Sequence, residues 1–142
     1  MIDRISFGQA VVAAIYASPF MALPLVAASN NWLVGVSLSR LIGPLIVCAL
    51  MLWIPSVIAN VTARGLVSWF GGGLSGTAFH IAVGLVAGVL LIGIVDFVAR
   101  GTAQIGGGPL GPQTLFAMVL AAACNAGMIF AVWHFGWKSA YD

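Results

Sequence analysis

Apolar residues dominate four long stretches of the chain, 7–28, 41–61, 78–99 and 115–135, separated by shorter segments rich in Gly, Asn and Arg. A helix must supply about 20 mainly apolar residues to cross ~30 Å of hydrocarbon at 1.5 Å per residue. Each stretch is long enough. None shows the strict alternation of polar and apolar positions that a barrel strand needs. The pattern therefore predicts an all-α integral membrane protein, a four-transmembrane-helix bundle with Gly-rich loops, folded as a single membrane domain.

The prolines and the connecting segments refine this picture. Pro19 and Pro24 fall in the first span, Pro44 and Pro55 in the second. They predict kinks, and carbonyls that lose a donor and need another partner. Asn30-Asn31-Trp32 reads as a turn at the interface, and 33–40 either lengthens the second helix or lies along the surface. Leu66-Val67-Ser68-Trp69-Phe70 is too short to span, so an interfacial segment is expected, with a shallow re-entrant loop as the alternative. Ala63-Arg64-Gly65 is followed by a Gly-rich run at 71–76, and Ala99-Arg100-Gly101 by another at 106–111. Such a repeat has two readings. One is a duplicated, inverted unit like those of transporters. The simpler one is punctuation, with Arg in a last helical turn and Gly closing the helix.

Composition settles the class. Charged residues make up 6% of the chain and hydrophobic ones 62%, against about 25% charged in soluble domains, too little polarity to coat a water-soluble globule. A net charge of +2, widely dispersed, excludes a nucleic-acid footprint. The first span exceeds the ~7–15 residue core of a secretory signal and is expected to be retained. Arg4, Arg64 and Lys138 against Arg40 and Arg100 give a slight preference for both termini inside, in a cell (inner) membrane. Cys48 and Cys124 lie in apolar runs and read as small buried hydrophobes.

Few residues carry chemistry. Asn125 is central to the fourth span, and its amide must find a partner in hydrocarbon, either as glue between helices or as a pore contact. Asp96 is an acid within a span, near the end of the third, with Arg100 four residues later on the same face. An (i, i+4) ion pair is expected there, and a cation- or proton-carrying carboxylate is the functional alternative. His80 opens the third span and His134 closes the fourth, which places both imidazoles near one membrane surface. Hydrogen-bonded anchors are the plain reading, and ligation of a haem (b-type) or another metal the sharper one. His80 leads into Gly84 and Gly88, and His134 shares a stripe with Ala123, Gly127 and Ala131, so both histidines border expected packing faces. Asn60-Val61-Thr62 fits a glycosylation sequon but abuts a span. Neither a phosphate loop nor a hydrolase arrangement is recognisable.

These features lead to the expectation of a non-enzymatic subunit of a larger membrane assembly, homo-oligomeric or with other chains, with a conduit as one form of that role. A haem- or quinone-associated redox anchor using His80 and His134 is one alternative. A small ion or solute transporter or channel using Asp96, Arg100 and Asn125 is another, and a membrane-resident inhibitor a third.

Overall fold

A computed structural model of the chain describes residues 5–29, 35, 37–74, 76–103 and 112–135. These residues form α1 (Phe7–Ser29), α2 (Ile42–Phe70), α3 (Gly76–Ala103) and α4 (Pro112–His134), with a single 3-10 turn at Leu38–Arg40 and no strand among them. Each of the four α-helices contains a stretch long and apolar enough to cross a membrane.

The start of α1 is written in its sequence. The Ser6 hydroxyl accepts from the Gln9 backbone N–H at 3.1 Å, and the Gln9 side-chain oxygen accepts from the Ser6 backbone N–H at 3.0 Å. This reciprocal capping box satisfies two donors that a helix N-terminus otherwise leaves without partners. Ala10 N–H then donates to the Ser6 carbonyl, the first helical hydrogen bond.

The second helix corrects the sequence reading. It does not stop near residue 61 but continues to Phe70, so Leu66–Phe70 forms its last turns, a helical extension and not a separate segment or a re-entrant loop. Nothing between 62 and 70 breaks a helix, since Gly65 alone is tolerated at a cost of about 1 kcal/mol. The stop comes at Gly71–Gly73. Gly71 N–H donates to the Val67 carbonyl and Leu74 N–H to the Gly71 carbonyl. A Cβ on Gly71 would meet Leu74 Cδ1, the end of a flexible exposed side chain, at 2.8 Å and the Val67 carbonyl oxygen at 3.0 Å, so the turn is tight there. Gly76 then opens α3 at a positive φ of 57°, a conformation that glycine adopts without penalty. Arg64 lies well inside α2 and Gly65 does not close it. The punctuation reading of the Arg-Gly repeat therefore fails at its first copy, and the Gly-rich run of the second falls outside the described residues. So do residues 30–34 of the first connection.

Consecutive helices are neighbours and α4 returns to α1, giving the cyclic order α1-α2-α3-α4. The start of α1, the end of α2, the start of α3 and the end of α4 thus share one end of the bundle. The core has two apolar layers. One, at that end, gathers Ile5, Ala13, Val67, Phe79, Val83 and Ile129; the other gathers Ala17, Met21, Leu52, Leu91, Met118 and Ala121. The buried face of α1 is largely alanine, at 10, 13, 14, 17 and 22. Small side chains let helices approach closely where lipid removes the usual hydrophobic drive for helix association.

Candidate functional site

Between the two apolar layers lies a buried polar one. Asn60 of α2 and Asn125 of α4, both fully buried, form a reciprocal amide pair across the diagonal of the bundle. Asn125 Nδ2 donates to Asn60 Oδ1 at 2.8 Å and Asn60 Nδ2 donates to Asn125 Oδ1 at 3.2 Å. Asn60 Nδ2 also donates to the Ala10 carbonyl of α1 at 3.2 Å. Three helices are therefore tied at one point. Asn60 was hidden in the sequence because the second apolar run ends beside it; the true length of α2 puts it well inside the helix. It extends a stripe at four-residue spacing, Ser56, Asn60 and Arg64. Ser56 Oγ lies 3.9 Å from Met21 Sδ, while the nearby Ser18 returns its hydroxyl to the Ala14 carbonyl at 2.9 Å.

One step toward the shared end, a second cluster holds the chain just before α1. His80 Nδ1 contacts the Gly76 carbonyl at 2.6 Å, and Ile5 N–H donates to His80 Nε2 at 3.0 Å. A carbonyl can only accept and an amide N–H can only donate, so the imidazole is the neutral tautomer with its proton on Nδ1. Arg64 Nε donates to the Ile5 carbonyl at 2.6 Å. Both backbone groups of Ile5 are thereby engaged by side chains of α2 and α3. The face of the imidazole is covered by Trp133, whose ring stacks on it at 4.0 Å and 17°.

The other expected site residues fall in several places. His134 lies at the same end as His80 but is exposed, its ring parallel to Phe130 at 5.7 Å and edge-on to Phe135. Both nitrogens of His80 face backbone partners, so it offers no lone pair to a haem or metal without releasing Ile5. Among the described residues, no group of three or more His, Cys, Asp and Glu side chains could hold a metal ion. Cys48 and Cys124 are free thiols, half-buried and exposed respectively, so neither is the fully buried hydrophobe expected from its apolar run. Asp96 is half-buried near the opposite end of α3 and is engaged. It stands about 24 Å along the helix from His80 at 1.5 Å per residue. The expected pairing with Arg100 lies outside the described side chains.

The helix-packing face lies where expected on one side and is shifted on the other. Gly84 and Gly88 do meet α4, but against Ala126 and Ala122: a Cβ on Gly84 would come within 2.9 Å of Ala126 Cβ, and one on Gly88 within 3.2 Å of Ala122 Cβ. Ala123 and Gly127 are not buried against α3, and Ala131 is half-buried. Asn125 sets this phase. Turning it to the bundle centre brings the neighbouring stripe, Ala122 and Ala126, onto α3.

The fold and this polar interior define an all-α, multi-pass integral membrane protein built as a four-helix bundle. No family model matches the chain, and neither a curated protein nor a solved structure shows significant similarity to it.

Proposed function

We propose that the protein is a non-enzymatic subunit of a larger membrane assembly, with other chains or further copies bound against its outer helical surface. The observation that carries this reading is where the interior polar groups are spent. Asn60, Asn125, His80 and Arg64 all bind partners within the bundle. A closed amide pair at the bundle centre favours a packed scaffold over a conduit through one chain. The outer surface is apolar and bears large side chains such as Met51, Ile54, Leu85 and Val89, suited to lipid and to neighbouring helices.

The test is extraction in mild detergent at native expression level, followed by sizing and identification of what co-purifies. A discrete complex of defined stoichiometry is the expected result. A monodisperse single chain, unchanged after cross-linking in the intact membrane, would overturn the proposal.

A further inference from the structure

The His80 imidazole makes two hydrogen bonds, and a proton can undo only one of them. Nδ1–H donates to the Gly76 carbonyl within α3, while the bare Nε2 accepts from the Ile5 N–H, 75 residues away in the chain. A proton added at Nε2 leaves the first bond intact. It destroys the second, because two N–H donors then face each other. The same proton sets a full charge near the Arg64 guanidinium, which holds the carbonyl of that same Ile5, and like charges repel strongly where little water screens them.

The surroundings do not offset that charge. Among the described residues, the ionisable groups near this end are Arg64 on α2 and His134 on α4. The His134 ring lies 6.3 Å from Trp133, the residue stacked on His80. In α1 the first titratable residue is Tyr16, and in α3 the next after His80 is Asp96, about 24 Å along the helix. Asp3, Arg4, Lys138, Tyr141 and Asp142 fall outside the described residues. The ring is nonetheless within reach of a proton. It stands one turn from the start of α3 and lines a cleft of about 300 Å³ between α3 and α4, beside Gly84, Ala126 and Phe130.

We propose that His80 is a proton-operated latch on the chain entering α1: neutral, it holds Ile5 in the core, and protonated, it lets Ile5 go. Ile5 is fully buried in the apolar layer that also contains Val67 and Phe79, so release opens that layer at its end. The Ser6–Gln9 capping box makes its bonds without His80, so α1 keeps its own start. The proton acts as a ligand that prefers the released state. Falling pH therefore favours release, by up to about tenfold for each pH unit.

The test uses the full chain in lipid nanodiscs, where both membrane surfaces are open to reagents. Ile5→Cys in a Cys48→Ala, Cys124→Ala background keeps the backbone groups that His80 and Arg64 hold. Its reaction with a thiol reagent is followed from about pH 8 to about pH 5, where imidazole titrates, and normalised to Gly72→Cys at an exposed position. The normalised rate should rise by about tenfold or more as pH falls. His80→Gln, which offers an acceptor that does not titrate, should abolish the rise, whereas His134→Gln and Asp3→Asn should keep it. NMR of labelled histidine nitrogens, assigned with His134→Gln, reads the latch without altering it. His80 should carry a proton on Nδ1 alone at the upper end of the range and on both nitrogens where Ile5→Cys reacts. Constant protection of Ile5→Cys, a rise that survives His80→Gln or is lost with His134 or Asp3, or charging of His80 that does not coincide with the rise would each overturn the latch.

Discussion

At the scale of single residues, the Asn60–Asn125 pair is the strongest test of what holds the bundle centre. Both hydrogens of the Asn60 amide are used, one toward Asn125 and one toward the Ala10 carbonyl. Replacing either asparagine by leucine leaves its partner buried with unmade bonds. Interhelical hydrogen bonds in bilayers are worth roughly 0.6–2 kcal/mol. Each single variant should therefore lose about 1–2 kcal/mol of stability, and the double variant Asn60→Leu with Asn125→Leu less than the sum of the two. Unfolding measured by steric trapping in bicelles reads this directly; additive losses would show that the amides do not act as a pair. Asn125 was legible in the sequence because it stands in mid-span, where an amide has no water to bind. Asn60 was not, because its depth depends on where α2 ends. Arg64 reads in the sequence as the edge of the span, whereas in the structure it donates to the Ile5 carbonyl, a contact between residues 59 positions apart that no local pattern records.

At the scale of helices, the α3–α4 contact separates a space-limited glycine from a free one. Gly84→Val must push Ala126 away, while Gly127→Val meets open space. The first should destabilise by about 1–3 kcal/mol as overpacking; the second should remain near wild type. Ala126→Gly combined with Gly84→Ala should recover most of the loss caused by Gly84→Ala alone. Thermal unfolding in detergent would check all four variants, and an equal penalty at Gly84 and Gly127 would contradict the packing. The limits of α1, α3 and α4 followed closely from hydrophobic length, since hydrocarbon thickness sets that length. The phase of α4 did not. Helical periodicity gives the spacing of a small-residue stripe but not which of two adjacent stripes meets a neighbour, and here the choice fell to Asn125. Ser6-Phe7-Gly8-Gln9, by contrast, is a capping-box pattern that the sequence itself displays.

For the whole molecule, the cyclic antiparallel order places the α2–α3 turn and the start of α1 at one membrane surface and the 3-10 turn before α2 at the other. Single cysteines at Gly72 and Ser37, introduced into a Cys48→Ala, Cys124→Ala background, should react with a membrane-impermeant maleimide from opposite sides of sealed vesicles. Labelling of both from the same side would contradict four crossings.

The diagonal amide pair also sets a timetable for synthesis. Asn60 and Asn125 are 65 residues apart, so at ~5–20 residues per second Asn60 enters the bilayer about 3–13 s before its partner exists. The Ala10 carbonyl, made earlier, is the acceptor already in place during that interval. The α1–α2 hairpin is thus a provisional state with one amide half satisfied, and arrival of α4 completes it. Truncation before α4 should therefore leave a three-helix chain, α1 to α3, that membrane quality control recognises by that amide. Substituting Asn60 by leucine would spare the truncated chain even as it weakens the finished one.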